Sequence, residues 1–339
     1  MNTEAPLPHR STAQVAGESL IFLTIDLLAF FGNLLVCVAM YRNPRLRTTT
    51  NIYITALALS DILNSLIVQP LTLGTLMTGR WVAGIEGCKV HGFFNLFLAY
   101  VSIQTMTLTA VNRYFRVVKT RYYHKIFSNT KSILHLVVLW AVISITVWTP
   151  PTAGWSTYFF FPNNAVCAQV FINEIASVTY EAIFFNIIPI AIVAFCYYNV
   201  SKTIRQHNVN VTHTLNQGGS GRALSLEEIR ITRTLFALVV AFVLCTAPAF
   251  TIFGLLRLRL TSFTSIPRGV SLMANALIFL SSAVNPFLYG VMNTSFRTEF
   301  KEILRFSCSK GRYEPNSSTA SSPESRAQQT VTAETILSS

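Results

Sequence analysis

The chain has 339 residues, 51% of them hydrophobic and 12% charged, with a formal net charge of +12. Ordinary soluble domains carry about 25% charged residues, so half that share, with a mean hydropathy of +0.46, excludes a typical water-soluble protein and points to a polytopic membrane protein. Six scattered cysteines, with no CxxC and no His/Cys cluster, exclude a disulfide scaffold and a structural zinc site.

Residues 1–18 are polar and lack the apolar core of a cleavable signal peptide. They are expected to form a short extracellular tail, with the first apolar segment directing insertion. Seven apolar segments follow, at about 20–41, 52–77, 93–118, 132–153, 175–200, 231–256 and 270–291. Each reaches the roughly 20 residues a spanning helix needs, and none alternates as barrel strands do. In the third, no charged residue falls between Lys89 and Arg113. As a helix, the run from Cys88 to Tyr114 is roughly 39 Å long, against a hydrocarbon core of about 30 Å. It therefore puts Cys88 and Arg113 on opposite sides of a membrane.

With the N-terminus outside, twenty Lys and Arg fall in the inner loops and tail, and six fall outside: Arg10, Arg80, Lys89, Arg257, Arg259 and Arg268. That asymmetry sets the expected orientation and accounts for the basic charge without nucleic acid. Arg257, Arg259 and Arg268 run against the trend, either anchoring helix ends or meeting an acidic ligand. The third inner loop holds Gly218-Gly219-Ser220-Gly221, a flexible link and not a phosphate-binding loop, since no Gly-Lys-Ser/Thr follows.

After Asn293, the residues Phe296, Phe300, Ile303 and Leu304 share one face of a short amphipathic helix expected on the inner surface. Cys308 closes it as a palmitoylation candidate, a plain free thiol being the alternative. The expected organisation is a tail over 1–18, a seven-helix domain with its inner-surface helix over 19–306, and a disordered cytoplasmic tail over 307–339. The glycosylation sequons at Asn199, Asn210, Asn293 and Asn316 all fall on the inner side and are expected to stay unmodified.

A set of motifs lies along these segments in order: Gly32-Asn33; Leu57-Ala58-Leu59-Ser60-Asp61; Cys88; Asn112-Arg113-Tyr114; Trp140; Pro189 with Tyr197; Phe242 with Cys245-Thr246-Ala247-Pro248; and Asn285-Pro286-Phe287-Leu288-Tyr289. Jointly, and over nearly the whole bundle, they resemble the rhodopsin-like (class A) G-protein-coupled receptors. The resemblance implies an all-α membrane protein, a seven-transmembrane helix bundle with a short amphipathic eighth helix. It implies a multi-pass plasma-membrane receptor, not an enzyme, that binds an extracellular small molecule or short peptide and activates a heterotrimeric G protein. A receptor kinase and arrestin are the further partners it implies, with the Ser/Thr-rich tail as phosphorylation target or simply a solvated segment.

The same resemblance assigns roles. Asp61, with Asn33, Ser102 and Asn285, is expected to form a pocket for water or a sodium ion, or else a structural hydrogen-bond network; a carboxylate so deep in a membrane segment is costly. Cys88 and Cys167 are the only cysteines expected outside, so a disulfide between them is expected. Asn112, Arg113, Tyr114, Tyr197, Glu228, Asn285, Pro286 and Tyr289 are the expected coupling residues. Arg113 and Glu228 are expected to pair across the bundle, holding the sixth helix inward until activation swings it out. Pro189, Pro248 and Pro286 each remove a backbone hydrogen bond and loosen their helices. Two positions depart from the family pattern. Asn112 stands where an aspartate is usual, leaving Glu228 alone to restrain Arg113, and Thr246 stands where a tryptophan is usual.

The ligand is less legible. Asn95 occupies the place where aminergic receptors carry an aspartate, against a monoamine held by that salt bridge. Phe279 occupies the place of the opsin lysine, so no Schiff base to retinal forms, although Gly154-Trp155-Ser156-Thr157-Tyr158 looks opsin-like and a non-covalent opsin-related receptor is the alternative. Asn112-Arg113-Tyr114, Asn43-Pro44-Arg45-Leu46-Arg47 and Phe195-Cys196-Tyr197 look most like melatonin receptors, implying an indoleamide-type ligand. Against that, Pro150, Phe171 and Pro286 stand where those receptors carry asparagine, glutamine and alanine, with Gln169 displaced nearby. The outer half offers Gln69, His91, Asn95, Tyr100, Glu181, Thr246, Asn275 and Phe279 as pocket candidates. Glu181 either faces a cationic ligand group, pairs with His91 or an outer arginine, or stays protonated. A transporter would want internal repeats, and an intramembrane enzyme a catalytic pair; neither signature is present.

Overall fold

The computed structural model describes residues 6–172, 174–216, 226–257 and 265–310. Helix α1 (Thr12–Arg42) opens on Ser11, whose hydroxyl accepts from the Gln14 N–H while the Gln14 side chain accepts from the Ser11 N–H. This reciprocal cap satisfies two donors that a helix start leaves open. The helix thus begins inside the polar stretch expected to be a tail. Glu18 is tolerated there because Arg10 and Arg268 both pair with it.

Helix α2 is built of Thr49–Leu63, a π turn at Asn64–Val68, and Gln69–Thr78. Helix α3 is Gly84–Val117, followed by a short helix Thr120–Ile126 and by α4, Asn129–Thr152. Helix α5 comprises Glu174–Ala182, a π turn at Ile183–Ile187, and Ile188–Asn216. Then come α6 (Leu226–Arg257), α7 (Arg268–Met292) and α8 (Thr294–Lys310). Seven of these helices are long and apolar enough to cross a membrane. Each π turn ends two residues before a proline, Pro70 or Pro189. A proline ring clashes with the carbonyl four residues back, and a widened turn absorbs the defect. Pro70 therefore joins the three prolines expected to loosen their helices.

Among the described residues the bundle buries two large apolar cores along its axis and a smaller cluster of Tyr53, Ala56, Tyr123, Phe127 and Leu136. Towards Cys88, Phe97, Leu98, Tyr100, Trp81, Phe160 and Phe279 pack together. Towards Arg113, Val36, Ala39, Tyr197, Tyr289, Phe296 and Phe300 do so. Phe296 and Phe300 thus dock α8 against α7, as its amphipathic pattern requires, with Ile303 partly buried behind them. Leu304, expected on the same face, is exposed instead. Outward, Leu28, Phe31, Ile145, Trp148, Tyr198 and Leu244 are exposed, an apolar belt of the kind lipid covers.

Between α4 and α5, β1 (Ser156–Phe161) and β2 (Val166–Phe171) form an antiparallel hairpin, with Ser156 opposite Phe171 and Phe160 opposite Cys167. The expected disulfide joins Cys88 of α3 to Cys167 of β2. Gly92, one turn along α3, lets the hairpin lie flat: a Cβ there would stand 2.5 Å from Tyr158 Cδ1. Burial pushes the Tyr158 phenol up to about 12. The Gly218-Gly219-Ser220-Gly221 link, Arg259, Asn316, the tail from 311 onward and the Cys308 side chain lie outside the described residues; the backbone of Cys308 belongs to α8.

Candidate functional site: a cavity and a lock at opposite ends of α3

A cavity of about 670 Å³ lies beside α3 near its Cys88 end, within the 300–1,000 Å³ usual for small-ligand sites. Leu96 and Tyr100 line it from α3, Ile145, Thr149 and Pro150 from α4, Gln169 and Phe171 from β2, and Tyr180, Glu181 and Phe185 from α5. Tyr100 is stacked on Phe185 with ring centroids 3.8 Å apart, which fixes the α3–α5 wall. Ile145, Thr149, Ile172 and Tyr180 are exposed, so the mouth opens on the flank between α4 and α5.

Of the expected pocket residues, Tyr100 and Glu181 line this cavity; the other six do not. His91 is fully buried, with Nδ1 accepting from the Cys167 N–H at 3.3 Å and Nε2 3.1 Å from Thr72 Oγ1. It ties α3 to the hairpin and to α2, which removes it as a partner for Glu181. Gln69 donates to Ser65, Asn275 donates to the Asn164 carbonyl at 3.2 Å, and Thr246 donates back to the Phe242 carbonyl at 2.8 Å. Phe279 is packed edge-on against Phe22 of α1, and Asn95, half-buried, lies off the cavity wall. Arg268, weighed as a contact for Glu181 or an acidic ligand, is committed to Glu18, its Nη2 2.8 Å from Oε2.

Gln169 was the displaced glutamine of the sequence. In a strand, alternate residues share a face, so Gln169 and Phe171 both point to the cavity, and Gln169 Nε2 donates to Ser156 Oγ at 2.6 Å. Its place two residues beyond Cys167, hence on the same face of an extended strand, was the signal that could have found it.

Midway along the bundle, Asn285 Nδ2 donates to Asp61 Oδ2 at 2.8 Å, and the Ser282 side chain is set against the same carboxylate. Asn33 Nδ2 donates to the Ser282 carbonyl at 3.0 Å. Ser102 reaches Ser60, 3.3 Å away, and not Asp61 itself. Asn33 Oδ1 is buried with no hydrogen-bond partner among the described residues. That orphan oxygen and the buried Asp61 carboxylate are of the donor type a hard cation takes.

At the other end, Arg113 Nη1 is 2.7 Å from Glu228 Oε2, joining α3 to α6 as expected. Glu228 is shared, however: Arg116, one turn further along α3, reaches its Oε1 at 2.8 Å. Arg116 also lies over the Tyr123 ring. Glu228 is therefore the one carboxylate paired with Arg113 among the described residues, and it is shared with Arg116, as the spacing of the two arginines on α3 allows. Asn112 turns aside, its Oδ1 accepting from Thr50 of α2 at 3.0 Å. Tyr114 packs on Phe115 and Phe195. Tyr197 and Tyr289 line a void of about 20 Å³ in the Arg113 half, and neither hydroxyl has a hydrogen-bond partner among the described residues. Pro286 abuts Gly32, where a Cβ would stand 2.9 Å from its Cγ.

Comparison with known proteins agrees with this geometry. The family model described as "7 transmembrane receptor (rhodopsin family)" matches residues 32–289. The chain is 28% identical to the mouse (Mus musculus) melatonin receptor type 1A over 89% of this chain and 83% of that one. It is 29% identical to the dog (Canis lupus familiaris) histamine H2 receptor over 88% and 80%. Squid rhodopsin shares the fold at a TM-score of 0.75 and 19% identity, over 91% of this chain and 90% of that one. With three-quarters of its length inside the family model and the Arg113–Glu228 lock in place, the chain belongs to the rhodopsin family of seven-transmembrane receptors.

Proposed function

We propose that the cavity beside α3 is the ligand site of this receptor, and that its ligand is a small, largely apolar molecule bearing an amide or one weakly basic group. The observation that carries this is the lining: aromatic and aliphatic side chains with only a few polar groups, Glu181, Gln169, Tyr100 and two threonines. An indoleamide of the melatonin type suits it. A monoamine gripped as in histamine receptors does not, because α3 offers Asn95 and no carboxylate in the expected place. The N-terminus faces the outside of a plasma membrane in this reading, on the charge asymmetry of the loops. The mouth between α4 and α5 then faces the outer bilayer, and an apolar ligand partitions into lipid before it binds.

Occupancy at the Cys88 end is relayed along α3 to the Arg113–Glu228–Arg116 network; its opening frees α6 to move and admits the G protein. Asp61, Asn285, Ser282 and Asn33 would hold a sodium ion, which supplies positive charge beside the buried carboxylate. Receptor kinase and arrestin act on the Ser/Thr-rich tail, and Cys308 is acylated.

The test is nucleotide exchange on a heterotrimeric G protein by the receptor in nanodiscs, against a panel of indoleamides, imidazole amines and retinoids. A saturable response to an indoleamide that falls at least about tenfold in potency in Gln169→Ala and Glu181→Gln is the expected result, tenfold being about 1.4 kcal/mol of binding. A response that is indifferent to both substitutions would move the ligand elsewhere in the bundle.

A further inference from the structure

Along the inward side of α1, Ser19, Asp26 and Asn33 recur at seven-residue spacing. Seven residues are nearly two full turns, about 10.5 Å of rise, so the three stack on one face. Each carries a buried oxygen with no hydrogen-bond partner among the described residues: Ser19 Oγ, Asp26 Oδ1 and Asn33 Oδ1. Asn33 belongs to the Asp61 pocket. Asp26 does not, and nothing in the receptor reading uses it.

Helix α2 closes the Asp26 position from the other side. The Ser65 side chain is set against the Asp26 carboxylate. Ser65 lies inside the π turn Asn64–Val68, and such turns concentrate at functional sites. Gln69 Nε2 donates to Ser65 Oγ at 3.4 Å, which brings the amide to the same place. Gln69 is only 2% exposed, and its Oε1 is buried without a hydrogen-bond partner among the described residues.

A buried unsatisfied polar atom costs about 1–3 kcal/mol, and native structures hold few of them. Here two of them, Asp26 Oδ1 and Gln69 Oε1, belong to side chains that both meet Ser65, and both are oxygens. Carboxylate, hydroxyl and amide carbonyl together are the donor set of a hard cation. One carboxylate in an apolar segment calls for one compensating charge, which favours a monovalent ion over a divalent one. We propose that Asp26, Ser65 and Gln69 form a sodium-type cation site distinct from the Asp61 pocket, on a polar track that Ser19 and Asn33 extend towards the Cys88 end and towards Asp61. An ion moving from the Cys88 end towards Asp61 would pass along α1 and α2, away from the ligand cavity between α3, α4 and α5.

The two sites are separable by experiment. Thermal unfolding of the receptor in nanodiscs is followed across a sodium chloride series, with N-methyl-D-glucamine chloride holding ionic strength constant. The wild type, Asp61→Asn, Asp26→Asn, Ser65→Ala and the double variant Asp26→Asn/Asp61→Asn are compared. Asp61→Asn is expected to keep a saturable sodium-dependent rise in Tm, which the double variant loses. Ser65→Ala, a milder change should Asp26→Asn fold poorly, is expected to raise the half-saturating sodium concentration in the Asp61→Asn background at least about fivefold. Sodium dependence abolished by Asp61→Asn alone would overturn the proposal while leaving the Asp61 reading intact. Equal stabilisation by both salts in the Asp61→Asn background would mean that these oxygens hold water only, and would also overturn it.

Discussion

The two ends of α3 are fastened in different ways. At the Cys88 end, a covalent bond, a hairpin laid on Gly92 and the His91 hydrogen bonds all hold at once, and the Arg10–Glu18–Arg268 clamp ties α1 to α7 beside them. At the Arg113 end, the cross-link to α6 among the described residues runs through one carboxylate, Glu228. Many independent ties make a region that stays put; one shared tie makes a region with two discrete arrangements. A receptor needs both, a fixed frame to read a ligand and a hinged partner to report it. The difference is already in the chemistry of the residues, before any ligand is considered.

Removing the covalent tie is the largest perturbation. Cys88→Ser opens a loop of sequence separation 79, and its loss should cost about 4 kcal/mol of stability on loop-closure arguments, read as a fall in Tm and in surface expression. Gly92→Ala comes next: its methyl would overlap the Tyr158 ring, and overpacking of this kind costs about 1–3 kcal/mol. Ligand affinity should fall with stability, because the hairpin carries Gln169.

Glu228→Ala tests the other end and should do the opposite of damaging the fold's output. Basal nucleotide exchange is expected to rise about tenfold, the shift that about 1.4 kcal/mol of lost restraint produces in a two-state equilibrium. Unchanged basal exchange would erase the contrast between the ends. Arg116→Gln is the smallest change. Arg116 is 38% exposed, so its bond to Glu228 is worth only about 0.5 kcal/mol, and basal exchange should rise about twofold.

Much of this arrangement was legible in the sequence because it rests on few alternatives. Seven apolar runs admit one class of fold, two outer cysteines admit one pairing, and Arg113 and Glu228 sit at the ends of their helices. What was not legible depends on which face of a helix looks where. His91, Asn275 and Phe279 are inward and polar or aromatic, as ligand contacts would be, yet each is spent on Cys167, Asn164 or Phe22. Composition does not distinguish a buried group that has a partner from one that awaits one. The start of α1 was hidden for a related reason: Glu18 reads as solvent-facing until Arg10 and Arg268 are seen on either side of it.

The π turn at Ile183–Ile187 has a further consequence. A helix advances about 100° per residue, so the extra residue of a widened turn rotates everything beyond it by that angle. Counting back from Pro189 therefore misassigns the outlook of the first part of α5, Glu181 included. The turn works as a phase element: deleting one residue within 183–187 would leave the Pro189 half in place and swing Glu181 and Tyr180 off the cavity wall. Relatives that lack such a turn would show a different set of side chains to their ligands from the same aligned positions.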